Sequence, residues 1–319
     1  MKYSPFELYI ACCAKEGGVY RYRIAEGETP EQLDFTPMDR PMYLAAEGNN
    51  MYVLLRAPFE NKESGLAVYN RNEEGALSLV GEVSSTKGVV ACHLAVSEGT
   101  VYAVNYLSGN VIKMPDRVVT HCGQGPHPTR QTEPHTHFVA LAPDRCNLFV
   151  VDLGVDTVFV YDKELNPVSS LRMPAGQGPR HLAFHRNGRR VFCANELGST
   201  VSVLDYQNGS LTLLSTTSVL PADFAGENTA AAIRCVGDTV YVSNRGHDSV
   251  AVLDYAEDRL TLRKFIPSHG SSPRDIWVHE GLLLAANESS DAVTLIDLQT
   301  GALLDTISLP APLCLIEKN

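Results

Sequence analysis

The sequence predicts an all-β chain, a seven-bladed β-propeller of four-stranded antiparallel blades whose ring is closed by the C-terminal strand pairing with N-terminal strands. Three observations predict it. One hairpin pattern recurs along the chain, a Val-rich third strand follows each copy at a matching offset, and unpartnered strands stand at both ends.

The hairpins read MYLAAEGNNMYVLLR (42–56), CHLAVSEGTVYAVNY (92–106), HFVALAPDRCNLFVVDL (137–153), RHLAFHRNGRRVFCANE (180–196), AAIRCVGDTVYVSNR (231–245) and RDIWVHEGLLLAANE (274–288). Each joins two apolar runs of strand length through a short turn. Third strands follow as GLAVYN from Gly65, NVIKMP from Asn110, TVFVYD from Thr157, TVSVLD from Thr200, SVAVLD from Ser249 and AVTLID from Ala292, each with a weaker fourth strand behind it. A seventh first strand, LCLIEK from Leu313, ends the chain with no room for partners. Its partners are then the orphan strands ELYIACC and GVYRYRI, with a fourth strand before Met42. Closure of this kind removes the exposed edge that an open β-array would present and makes residues 1–319 a single β-propeller domain. No capped segment of helical period interrupts the pattern.

Composition agrees. The chain is 44% hydrophobic and 20% charged, enough apolar content to bury a core and exclude a disordered protein. A formal charge of -11 argues against a surface that neutralises nucleic-acid phosphates. The opening MKYSPFELYIACCAKEGG has an apolar run too short for a secretory leader, and no segment is long enough to span a bilayer. Eight cysteines lie at irregular spacing without a CxxC pair. A reduced, cytoplasmic protein that binds neither nucleic acid nor membrane is expected; nothing in the sequence fixes an oligomeric state.

The first and last residues of each hairpin flank its turn at equal distances, which places them together at one rim of the propeller, near the axis. The pairs are Met42 with Arg56, Cys92 with Tyr106, His137 with Leu153, Arg180 with Glu196, Ala231 with Arg245, and Arg274 with Glu288; the closing blade offers Leu313 with Ala14. Two of these are opposite-charge pairs that cross-strand stabilisation alone would explain, at roughly 0.2 to 1 kcal/mol each. Arg245 and Arg56 have no such partner, and a cationic excess in the channel of an acidic protein points to a small anionic ligand.

At these residues the chain resembles the seven-bladed lactonases, which include the propeller-type 6-phosphogluconolactonases and the fungal carboxy-cis,cis-muconate lactonising enzyme. The resemblance covers most of the chain and is strongest through HCGQGPHPTRQTEPHTHFVALAPD, FVVDLGVDTVFVYD, GQGPRHLAFHRNG, CANELGSTVSV, YVSNRGHDSVAV and SPRDIWV. It implies functional positions at His137 in PHTH, Arg180 in GPRH, Glu196 in NEL and Arg245 in SNRG. Arg274 in PRD also matches, whereas Glu288 departs from the residue relatives commonly carry.

The implied activity is cofactor-independent lactone hydrolysis on a small anionic lactone, 6-phosphogluconolactone first among the candidates. Such a reaction needs an activated water, stabilisation of the carbonyl oxygen and a proton for the departing ring oxygen. Glu196 and His137 are the candidates for water and leaving-group proton in either order. Arg180 and Arg245 are assigned to the oxyanion and the substrate's carboxylate or phosphate, and Arg274, Arg56, Glu288 and Tyr106 to substrate binding. A cycloisomerase of the muconate type would use the same groups, and a non-catalytic propeller scaffold is the third reading.

Other features read as structural. His121, His127 and His135, with Arg130 and Gln131, form a Pro- and Gly-rich loop that reads as an ordered lid; its irregular spacing without an acidic cluster argues against a metal site. The GQGP repeats at 123 and 176 read as turns, because no helix follows to bind phosphate. No G-x-S-x-G elbow occurs, and Cys92 has no convincing His and acid partners, so covalent catalysis is disfavoured.

Overall fold

Apolar residues alternate along the inner strands of every blade, and in the computed structural model they meet between neighbouring blades. The structure describes residues 3–318; Met1 and Lys2, which open the segment read for a leader, and Asn319 lie outside the described residues. Seven four-stranded sheets form the ring, and the one helical element among the described residues is a 3-10 turn at Glu288–Ser290. No helix is long and apolar enough to cross a membrane.

Blade 1 joins the chain ends. The strand Pro312–Glu317 lies innermost, followed by Phe6–Cys12, Gly18–Ile24 and Glu31–Pro37, the arrangement expected from the orphan strands. Blades 2 to 7 start at the inner strands Pro41–Glu47, Ala91–Ser97, Thr136–Leu141, Pro179–Phe184, Thr229–Val236 and Pro273–His279. The third strands begin at Gly65, Asn110, Thr157, Thr200, Ser249 and Ala292, where the repeat places them.

Seven hydrophobic clusters hold the ring, one at each blade-to-blade interface. Leu8, Ile10 and Leu315 of blade 1 pack on Leu284 and Val293 of blade 7, and Tyr9 and Cys314 of blade 1 pack on Met51 and Val53 of blade 2. The core is therefore a ring of seven equivalent seams with no central mass, and each blade depends on both neighbours for burial.

The register departs from the regular ladder that equal spacing assumes. In all seven blades a β-bulge interrupts the inner strand at the rim, and the residues left without a Cα partner are Leu313, Met42, Cys92, His137, Arg180, Ala231 with Ala232, and Arg274. Pro179 pairs with Asn195 and His181 with Ala194, for example, which skips Arg180. A bulge bends the strand and re-aims the extra side chain. The residues marked by the repeat arithmetic are thus the bulged ones, and they do not pair directly with the second member of each couple.

Candidate active site

The bulged residues of blades 1 to 4 and 7, with residues just beyond the second strands, surround a cavity of about 360 Å³ at this rim. That volume suits a small-molecule site. Blades 1, 2 and 3 supply a largely apolar wall of Leu313, Met42, Val90, Cys92 and Leu107. Facing it are His137 of blade 4, Glu196 of blade 5, Arg245 of blade 6, and Arg274 with Glu288 of blade 7, and Arg56 and Tyr106 are also part of the lining. All eight candidate residues except Arg180 line this cup. Arg180 stands behind it on a second cavity of about 20 Å³ shared with His137 and Cys92. Its side chain is only 3% exposed, so direct contact with a substrate oxyanion does not fit its position.

Glu196 organises the charged wall. Its Oε2 lies 2.9 Å from both Arg180 Nε and Arg245 Nη2, and its Oε1 accepts a hydrogen bond from Arg130 Nη2. The two contacts to Oε2 are at ion-pair distance but out of line for hydrogen bonding, so Oε2, Arg180 Nε and Nη1, and Arg245 Nε and Nη2 are buried with no aligned partner. Burial pushes the carboxyl pKa up, but the guanidinium charges of Arg245, Arg180 and Arg130 outweigh it and hold Glu196 well below the usual carboxylate range. Burial, then the adjacent cation Arg245, lowers Arg180 to about 9, which leaves it protonated at neutral pH. The cross-strand reading of Arg180 with Glu196 therefore captures part of a larger cluster. Arg274 and Glu288 do form the simple pair, Nη1 to Oε2 at 3.0 Å, with both side chains partly exposed in the cup.

His137 is buried and neutral. Desolvation first, then the charge of Arg180, lowers its pKa well below the ordinary imidazole value, while Glu196 opposes the shift. Its neighbours are Tyr106, edge-on at 5.5 Å between ring centroids, and His181 at 5.2 Å. Cys92 Sγ lies 3.9 Å from His137 Nδ1, but burial pushes the thiol up to about 12, so it is not a thiolate nucleophile near neutrality.

Beneath the cup, His93 and His181 are also buried, and burial followed by nearby arginines depresses both pKa values well below the usual range. Folded-state values below the unfolded one mean that the three imidazoles support the fold above about pH 6.5 and weaken it as pH falls toward their depressed values. The melting temperature should therefore fall steadily from pH 7 to pH 5, before most carboxylates titrate; a flat profile would contradict the neutral histidines.

The lid loop supplies the residue that the repeat arithmetic misses. Arg130 lines the cup and reaches both Glu196 and the Tyr106 hydroxyl, the latter at 3.3 Å. It enters where Leu153 was expected: Leu153 is fully buried, and its carbonyl accepts a bond from Gln131 Nε2 at 2.8 Å. Thr229, Val90 and Leu107 also line the cup, whereas Ala231 and Ala14 do not. The only sequence signal for Arg130 is a cation in a His-rich loop, because that loop lies outside the repeat.

The remaining histidines have structural partners. His121 Nδ1 lies 2.7 Å from Asp152, and His135 stacks on Tyr106 at 4.4 Å while its Nδ1 meets the Tyr106 carbonyl oxygen. His127 Nδ1 accepts the Arg130 amide. No group of three or more His, Cys, Asp or Glu side chains among the described residues could hold a metal. The second GQGP is turn chemistry: the amides of Gly176 (φ +80) and Gly178 (φ +58) donate to the two oxygens of Asp156 at 2.7 Å. Both glycines hold left-handed conformations that L side chains avoid, and the turn delivers the chain to Arg180.

A family model described as Lactonase, 7-bladed beta-propeller, matches residues 7–316. The chain is 31% identical to the 6-phosphogluconolactonase of Bacillus subtilis, with 96% of each chain covered. It superposes on the crystal structure of a Lactobacillus plantarum protein with a TM-score of 0.89 at 31% identity, covering 99% of this chain and 100% of that one. The periplasmic gluconolactonase of Pseudomonas aeruginosa gives a TM-score of 0.88 at 25% identity, over 98% of this chain and 99% of that one. The chain belongs to the lactonase family of seven-bladed β-propellers.

Proposed function

We propose that the cup hydrolyses a small lactone bearing an anionic group, a phosphorylated sugar lactone such as 6-phosphogluconolactone first among them, without a cofactor. The observation that carries this reading is the charged wall: a neutral imidazole and several guanidinium groups are arranged around one permanently ionised carboxylate inside a cavity of substrate size. Similarity to a 6-phosphogluconolactonase and to a gluconolactonase supports the substrate class.

In this mechanism water attacks the lactone carbonyl and His137 takes its proton. Glu196 is less suited as the base because both of its oxygens are engaged by Arg130, Arg180 and Arg245, whereas neutral His137 makes no ion pair. The nearby carboxylate stabilises the imidazolium that forms. Arg245 and Arg274, both on the cup, stabilise the oxyanion and hold the substrate. The ring C–O bond then breaks, the imidazolium returns its proton to the departing oxygen, and a hydroxy acid leaves. Arg180 acts from behind by fixing Glu196, a positioning role. Arg56 and Tyr106 contact the far side of the lactone ring.

Eight free cysteines, four of them buried, fit a reducing compartment, and we place the protein in the cytoplasm on that basis. The test is a screen of phosphorylated and unphosphorylated sugar lactones with spontaneous hydrolysis subtracted. Enzyme-dependent product one water heavier than substrate is expected. A product of unchanged mass would replace hydrolysis by isomerisation, and no turnover on any lactone would leave a binding scaffold.

A further inference from the structure

Three guanidinium groups contact Glu196, and they are held in different ways. Arg180 comes from the bulge of a central strand and Arg245 from the end of the strand Thr239–Arg245, with side chains 3% and 14% exposed. Both reach Oε2. Arg130 comes from a loop, is 37% exposed, and alone among the three takes Oε1.

The loop that carries Arg130 is anchored by its neighbour. Gln131 is fully buried: its amide Nε2 donates to the Leu153 carbonyl, its Oε1 accepts the His127 amide at 3.1 Å, and its own carbonyl accepts the Gly125 amide at 2.9 Å. A side chain at Gly125 would strike Gln131, since an added Cβ would lie 2.5 Å from its Cδ. The backbone at 130 is therefore fixed while its side chain spans the cup. Both side-chain contacts of Arg130, to Glu196 and to Tyr106, use the same nitrogen, Nη2.

We infer that Arg130 is a specificity-determining residue that exchanges partners on substrate binding, leaving Glu196 Oε1 for the anionic group of the lactone. This rests on the reading of the cup as a lactone hydrolase site. An anion entering the cup meets the most exposed of the three guanidiniums, whose planar fork suits phosphate or carboxylate. The exchange needs rotation of one side chain and no movement of the loop. It also opens Oε1, the oxygen that Arg130 covers, while Arg180 and Arg245 keep Oε2 in place. The anionic group of the substrate thus removes a cation from the carboxylate nearest the reacting centre, and binding at one end of the lactone prepares the other.

The experiment compares wild type with Arg130→Met and Arg130→Lys on a phosphorylated sugar lactone and its unphosphorylated counterpart. The ratio of kcat/KM for the phosphorylated over the unphosphorylated lactone should fall about 10- to 100-fold in Arg130→Met, the scale of one charge-assisted hydrogen-bonded pair, with part restored in Arg130→Lys. A carboxylated lactone run beside them tells which anion the residue prefers. An unchanged ratio, with kcat falling equally on both substrates or the melting temperature falling alone, overturns the inference and leaves Arg130 structural. Calorimetric binding of inorganic phosphate provides a readout without turnover, and the dissociation constant should rise by a similar factor in Arg130→Met. Equal phosphate affinity in the two proteins also overturns the inference, whereas weakened binding in a protein that turns over no lactone upholds the exchange and refutes the hydrolase reading.

Discussion

Substituting Ala for His137 should lower kcat by about 10² to 10⁴, with a smaller loss of melting temperature than an ion-pair partner would show, because the imidazole carries a proton in the reaction and contributes packing but no ion pair to the fold. Its contacts are ring packing against Tyr106 and His181 and a long approach to Cys92, none of which another charged group depends on. Glu196→Gln should behave differently. Deleting the negative charge leaves the guanidinium groups of Arg180 and Arg245 facing each other in a buried space, a kind of change that typically costs about 3 to 5 kcal/mol. This isosteric variant should therefore lose turnover and melt earlier. Measuring kcat beside the melting temperature separates the two roles, and near-wild-type kcat in His137→Ala would remove the mechanism.

Deleting residues 311–319 should abolish cooperative folding. The segment carries the innermost strand of blade 1, in register from Leu8 opposite Glu317 to Ala11 opposite Cys314 and, past the bulge at Leu313, Cys12 opposite Pro312. It also carries Leu313, Cys314 and Leu315, which are buried in three different seams. The Leu315 amide donates to Asp275 Oδ2 at 2.8 Å, so the strand is tied to blade 7 as well. Removing it opens the ring between blades 7 and 2 and exposes apolar surface on both sides, against a total stability of about 5 to 15 kcal/mol for an ordinary domain. Circular dichroism on heating should show no sharp transition, and adding a synthetic peptide of residues 311–318 should restore one. A truncated chain that melts like the intact one would show that the ring does not depend on this strand.

The ring was legible because a blade is a repeated unit, and an offset established in the clearer copies transfers to the weaker ones. The third strand at Asn110 is only four residues long, yet its position followed from its neighbours. The rim residues were legible for the same reason, although the regular ladder assumed for them is interrupted by bulges that periodicity does not reveal. Hydrophobic alternation records which face a side chain occupies; it is silent about an extra residue that keeps the alternation on either side. The depth of Arg180 was not legible, since burial of a guanidinium depends on which residues the other blades bring around it. Arg130 escaped because a loop outside the repeat has no offset to inherit, and its placement depends on Gln131 filling the space beside Gly125.

The bulges have a consequence for how such a protein can change. A residue left out of strand pairing can be replaced without altering the backbone partners on either side of it, and each blade has one such position, or two in blade 6. Chemistry and strand pairing are in this sense separately heritable: a bulged side chain can be refitted while the ladder on either side of it stays as it is. Met42, Cys92 and Leu313 are the uncharged bulged residues that line the cup, and because each also packs in a seam, a replacement there that keeps its volume is the route by which this frame would acquire a new substrate while keeping its proton-transfer groups.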